Sequence, residues 1–257
     1  MIMKVVNLFL MILKYNYYFY QAVLKQSICN KIIELGLKEI DARKSKYGSV
    51  KGVTKDGGEY NDKKKYRLED KKIAELPEKD IKNIVTRDSD VAFLNDKWLY
   101  DLITPYVKRA NIDAGWNFDV DYFEGMQFTV YKNNGFYGWH TDGGSDKFYT
   151  YKKSLKYFDQ KKGDTFDMGT ETPDMNMVGK VRKLSMTINL SDPNNYEGGD
   201  LKIDTKDLSE ESVHTLTQIK PQGSLVVFPS YLYHQVTPVT KGTRYSLVVW
   251  CLGKPFR

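Results

Sequence analysis

The chain of 257 residues contains only two cysteines, Cys29 and Cys251, and only three histidines, His140, His214 and His234. Two cysteines exclude a disulfide framework and a cysteine-based zinc site, and they fit a reducing, cytosol-like compartment. No apolar run is long enough to cross a bilayer, so no membrane partner is expected. The most apolar stretch, Met1 to Leu13, is short and interrupted by Lys4, and it lacks a clear small-residue cleavage site. We expect a strand or an extension there, not a signal peptide. No block of like charge stands out. Lys and Arg (39) outnumber Asp and Glu (33) for a net +6, but the lysines are scattered among acids with no basic helix or arm. A nucleic-acid partner is therefore the weaker expectation. There is no internal repeat and no linker, so residues 1–257 are expected to form a single domain.

What is present reads as a folded core behind a helical front. The composition, 41% apolar and 28% charged, is that of a soluble globular protein. Residues 1–115 read as a helical support region. After a tyrosine-rich run, Ser27 can cap a helix, Ile28, Ile32 and Leu35 share a face, and Gly36 can end it. Residues 43–72, rich in Lys, Asp and Gly, read as an exposed loop. A second helix is expected in the latter half of 88–111, with Trp98, Leu102, Tyr106 and Ala110 on one face, a cap at Asn95 or Asp96, and Pro105 inside it.

From residue 117 the texture changes to strands. Phe118–Tyr122 and Met126–Tyr131 alternate, and Phe136–His140 follows an Asn133-Asn134-Gly135 turn. Residues 143–180 form a long polar insertion. Strands resume over 182–190, 200–205, 212–217, 225–228, 234–239 and 243–252, the last two separated by a turn at Lys241-Gly242. Residues 116–253 therefore read as a mainly β barrel or sandwich.

Within that core, His140 and Asp142 lie one residue apart, and on a strand they would share a face. His234, in Phe228-Pro229-Ser230-Tyr231-Leu232-Tyr233-His234, is the natural third ligand, whereas His214 reads as a surface or packing histidine. Two imidazoles and a carboxylate make the facial triad that binds non-haem Fe(II) and leaves coordination positions open. Arg244 follows His234 and shares a strand face with Ser246, Val248 and Trp250. An arginine deep in a barrel needs an anion, either one of the chain's own acids or a bound carboxylate, whose geometry suits the planar fork.

The order His140-x-Asp142, His234, Arg244 resembles the Fe(II)- and 2-oxoglutarate-dependent dioxygenases. Gln127–Tyr131, Gly135–His140, Arg182–Ser185, Tyr196–Leu201, Phe228–Ser230 and Pro238–Arg244 resemble the prolyl 4-hydroxylase branch. The likeness covers about residues 80–253. It is to the bacterial and phage type, since the animal collagen enzymes carry a lysine where this chain has Arg244. The resemblance implies a double-stranded β-helix (jelly-roll) core with N-terminal helices packed on one sheet. It implies Fe(II) on His140, Asp142 and His234, and 2-oxoglutarate as co-substrate with its distal carboxylate on Arg244. It places the Tyr131 hydroxyl on the same carboxylate, Thr187, Asn189 and Ser246 along the pocket, and Leu201 and Trp250 as its walls. Arg182, Tyr137 and Trp139 are candidates for substrate contact. The implied reaction consumes O₂ and 2-oxoglutarate, hydroxylates an unactivated C–H bond, and releases succinate and CO₂, with ascorbate as an accessory reductant. It needs no Ser-His-Asp set. A peptide or protein substrate, hydroxylated at proline, is the leading expectation, in a cytoplasmic setting, that of a bacterial host if the enzyme is phage-encoded. A free amino acid, another protein side chain, a nucleic acid, or a non-catalytic metal-binding barrel are the alternatives. The insertion at 143–180, directly after Asp142, is expected to overhang the mouth of the site.

Overall fold

The computed structural model describes residues 15–47, 87–132, 134–143, 150, 152–153, 171–172, 174–205 and 212–256. The expectations for Met1–Leu13, for residues 48–72 and for most of the insertion lie outside the described residues.

The tyrosine-rich run supplies β1 (Tyr18–Tyr20). Helix α1 (Gln26–Tyr47) begins one residue before Ser27, with the N–H groups of Ile28 and Cys29 both donating to the Lys25 carbonyl. It runs through Gly36 and into the start of the segment expected to be a loop. Gly36 is there for packing and not for ending the helix: a Cβ at this position would lie 2.3 Å from the Phe128 ring. Cys29, Ile32, Gly36 and Ile40 form the buried face at helical spacing, and the missing side chain lets the helix press onto the sheet.

Strands β2 (Arg87–Asp88) and β3 (Asp90–Leu94) follow, with no clear alternation to announce them. Helix α2 (Lys97–Asp113) has Asp96 at its N-cap without a side-chain cap bond, and Pro105 inside it. It buries Leu99, Ile103, Val107 and Ala110, one position round from the expected stripe. Trp98, Leu102 and Tyr106 are partly buried and flank it.

The strand expected over Phe118–Tyr122 shrinks to β4 (Tyr122–Phe123). The Asn111 side chain takes both backbone polar groups of Phe118, receiving from its N–H and donating to its carbonyl, so that residue has no need of a neighbouring strand. The remaining strands are β5 (Met126–Lys132), β6 (Phe136–His140), β7 (Lys152–Lys153), β8 (Glu171–Thr172), β9 (Val181–Asn189), β10 (Tyr196–Gly198), β11 (Leu201–Asp204), β12 (Val213–Thr215), β13 (Leu225–Pro229), β14 (Tyr233–Val236) and β15 (Val239–Gly253). The turn expected at Lys241-Gly242 lies inside β15. Gly242 has φ +73° there, and a Cβ would meet the Asn195 carbonyl at 2.0 Å.

Among the described residues the large sheet runs β1-β13-β9-β15-β5-β3, with β4 and β10 also on β15, and the small sheet runs β12-β11-β14-β6-β2. The two helices cover the outer face of the large sheet. On β15, Leu247, Val249 and Cys251 join the helix-facing core, while Arg244, Ser246, Val248 and Trp250 point the other way, between the sheets. Each aliphatic side chain buried in that layer contributes about 1.5–3 kcal/mol. This is the double-stranded β-helix with helices on one sheet.

Candidate metal centre and co-substrate pocket

His140 ends β6 and His234 lies near the start of β14, and the two residues are cross-strand partners. Their rings lie 4.2 Å apart, centroid to centroid. Asp142 is not on the strand. It occupies the turn beyond β6, so strand alternation is not what brings its carboxylate to the imidazoles. The turn is tied down instead by the backbone. The N–H groups of Asp142 and Gly143 both donate to the Ser230 carbonyl, at 3.0 and 3.2 Å. Ser185, its hydroxyl 2.9 Å from that of Ser230, also hydrogen-bonds the Asp142 carboxylate.

The three candidate ligand atoms lie within 4.8 Å of one another. Asp142 Oδ1 is 3.7 Å from His140 Nε2, and Oδ2 is 3.6 Å from His234 Nε2. Each imidazole turns its Nδ1 to a backbone carbonyl, His140 to Gly138 at 2.8 Å and His234 to Leu232 at 2.9 Å. With Nδ1–H donating, Nε2 carries the lone pair, and both lone pairs face the carboxylate. Burial, reinforced by His234, pushes His140 down to about 3. Burial alone would raise Asp142, but the two imidazoles, Arg182 and Ser185 outweigh it and hold the carboxyl below its usual range. Two imidazoles and one carboxylate within reach of a common point fit Fe(II).

A pocket opens from this centre between the sheets. Tyr131, Thr187, Leu201, Ser246 and Trp250 line it with His140, Asp142 and His234. Arg244 is 3% exposed, its Cα opposite Tyr131 in the β5–β15 ladder and its guanidinium 5.6 Å from the Tyr131 ring. Its Nη1 is buried without a partner. A buried guanidinium with an unused donor is a site prepared for an anion, and a carboxylate of 2-oxoglutarate fits it. Asn189 is placed differently. Its Nδ2 donates to the carbonyls of Lys220 and Ser191, at 2.6 and 3.2 Å, and it does not line the pocket.

Of the three candidates for substrate contact, Tyr137 lines the pocket with its ring stacked on His140. Trp139 stacks on Tyr233 instead, at 5.9 Å and 12°, and is not part of the lining. Arg182 is already committed. It grips both carboxylate oxygens of buried Glu124, donates to the Asp142 carbonyl at 3.1 Å, and lies over the Trp250 ring at 3.9 Å. It braces the Asp142 turn from behind. His214 sits two strands from His234, across Ile203, with its Nε2 3.4 Å from Thr205.

Sequence reasoning missed Glu124, Gln127 and Arg87. A lone acid in Tyr122-Phe123-Glu124-Gly125-Met126 was a signal that a buried cation would pair with it. Gln127 is an inward position on β5 that alternation with Tyr131 could have found. Arg87 had no such signal, because β2 is only two residues long.

Residues 126–252 match the sequence model of the family described as 2OG-Fe(II) oxygenase superfamily. A PKHD-type hydroxylase of Hyphomonas neptunium is 41% identical over 91 residues, 34% of this chain and 38% of the relative. The chain thus matches little more than a third of that relative's length. The viral collagen prolyl hydroxylase of Paramecium Bursaria Chlorella virus-1, solved as a 2OG complex, superposes with a TM-score of 0.51 at 15% identity, covering 93% of this chain and 97% of the other. A prolyl hydroxylase of Trichoplax adhaerens, in complex with a hypoxia inducible factor peptide fragment, superposes with a TM-score of 0.50 at 14% identity, covering 92% and 83%. At these identities the superpositions speak for the fold alone.

Proposed function

The chain belongs to the 2OG-Fe(II) oxygenase superfamily through its domain at residues 126–252, and from that premise we propose that it is a 2-oxoglutarate-dependent dioxygenase that hydroxylates a proline in a peptide or protein. The observation that carries the chemistry is the pairing of the His140–Asp142–His234 cluster with the unpartnered Nη1 of buried Arg244. The prolyl substrate rests on the named relatives. When bound, Fe(II) with 2-oxoglutarate and O₂ supplies the oxidation that turns a C–H bond into C–OH, with succinate and CO₂ as the other products.

The chain's own residues do the positioning. His140, Asp142 and His234 would hold the Fe(II). Arg244 and Tyr131 would take the distal carboxylate, and Thr187 and Ser246 offer hydroxyls in the pocket. Leu201 and Trp250 exclude water from its walls, where hydrogen bonds to charge gain strength. Ascorbate would serve as reductant between turnovers. Two buried free thiols suit a cytoplasmic setting, that of a bacterial host if the source is a phage. Among the described residues no helix is long and apolar enough to cross a membrane.

The test is a mass-spectrometric screen for a gain of one oxygen, using proline-containing peptides, free amino acids and cell extract, with succinate measured in parallel and His140→Ala as control. Oxygen gain on prolyl peptides supports the reading. Gain only on free amino acids or on nucleic acid moves the substrate, and no succinate under any condition removes the enzyme.

A further inference from the structure

We propose that Arg87 is a positioning residue for the metal centre, holding the plane of the His140 imidazole through Tyr137. This rests on the reading of His140 as a metal ligand.

The geometry begins with a bulge. The β6–β14 ladder pairs His234 with His140 and Val236 with Tyr137, so the two residues Gly138 and Trp139 stand opposite Gln235 alone. In a regular strand Tyr137 and His140 would face opposite sides, being an odd number of residues apart. The bulge turns both into the pocket, where their rings stack at 3.5 Å and 13°. With that face of the phenol ring filled, the Arg87 guanidinium takes the other, 4.6 Å from the ring centroid. Arg87 and Tyr137 are themselves Cα partners in the β2–β6 pair, so the stack is built into the edge of the small sheet.

Arg87 is 6% exposed, and its hydrogen-bond partners are neutral: Ser89 at 2.8 Å, Gln127 and Thr129 each at 3.4 Å. Among the described residues no carboxylate pairs with it. Filling a gap between two sheet edges does not call for a buried charge, which an apolar side chain of similar volume would avoid. Those partners do fix the guanidinium plane. Ser89 lies on the link from β2 to β3, and Gln127 and Thr129 lie on β5, so the large sheet anchors the Tyr137 ring from behind.

His140 needs that support. Its one fixed hydrogen bond, from Nδ1 to the Gly138 carbonyl, leaves the ring free to tilt about the N–O line. A flat ring pressed on the imidazole removes the tilt. His234 is held otherwise, by its bond to Leu232 and by the edge of Phe228 at 4.8 Å. A ligand nitrogen has to be aimed to within roughly 10–20° for productive coordination.

The experiment measures Co(II) binding by calorimetry and the ligand-field absorption of the Co(II) protein for wild type, Arg87→Met, Tyr137→Phe and Tyr137→Leu. Arg87→Met and Tyr137→Leu are expected to weaken Co(II) binding about 10- to 100-fold and to shift the absorption, while Tyr137→Phe, which keeps the flat ring, stays within about threefold of wild type. A merely structural Arg87 would lower the melting temperature and leave the spectrum and affinity of the folded protein as they are, and that result overturns the proposal. So does a Tyr137→Phe variant that binds as weakly as Tyr137→Leu. Should Arg87→Met not fold, Arg87→Gln decides by the same criteria. Wild-type protein that binds no Co(II) overturns the triad itself, a different failure from an intact triad indifferent to Arg87.

Discussion

Replacing Arg244 by Met separates a ligand-binding arginine from a structural one. In the ligand-free protein the guanidinium is buried with Nη1 unpartnered. An unsatisfied buried donor of this kind costs about 1–3 kcal/mol, more for a charged group. Met removes that cost while filling most of the volume, so the ligand-free variant is expected to melt no lower than wild type. Binding tells the opposite story. A hydrogen bond between charged partners is worth about 1.5–3 kcal/mol, so losing it should weaken 2-oxoglutarate binding roughly 10- to 150-fold. Arg244→Lys, which keeps the charge and loses the fork, should fall between. Calorimetric titration of 2-oxoglutarate into Co(II)-loaded protein measures the affinity, and scanning fluorimetry of ligand-free protein measures the stability. The ligand-dependent rise in melting temperature should shrink in step with affinity. An Arg244→Met protein that binds 2-oxoglutarate within about twofold of wild type would refute the assignment. A variant that loses stability as much as affinity would assign Arg244 to the core instead.

Metal-free protein should lose stability as pH falls from about 6.5 toward 3. His140 titrates near 3 in the folded state against 6.5 ordinarily, so in that window the unfolded chain binds the extra proton and is favoured. Melting curves across this range in the presence of a chelator check it, and His140→Gln should flatten the slope. Gly36→Ala should destabilise the fold by about 1–2 kcal/mol, although Ala in a helix is normally favoured over Gly by about 1 kcal/mol. The added Cβ would meet a fully buried Phe128 ring at 2.3 Å, and that ring is itself stacked on Tyr245. Urea denaturation measures the difference, and a stabilised variant would show that the helix can lift off the sheet at no cost.

Strands β5, β9 and β15 were legible because alternation survives where one face of a strand meets the helices and the other the pocket, and β6 was legible from the Asn133-Asn134-Gly135 turn signal before it. Helix limits were less so. Whether Gly36 ends a helix or admits a sheet depends on Phe128, far along the chain. The same holds for α2, whose buried stripe was set by which side the large sheet approaches.

The sequence by itself singled out the candidate ligand set and the candidate anion-binding arginine, since few side chains can do either task. It also determined the fold class, through the spacing of short strands and turns. Only the tertiary structure decided how the ligands converge. Asp142 reaches the imidazoles through a turn pinned to Ser230, not through strand alternation. Arg182, a substrate candidate by position, is held by Glu124, and Arg87, silent in the sequence, stands behind Tyr137. Each of these depends on contacts between residues distant in the chain, and a buried charge finds its partner in space, where local pattern carries no record of it.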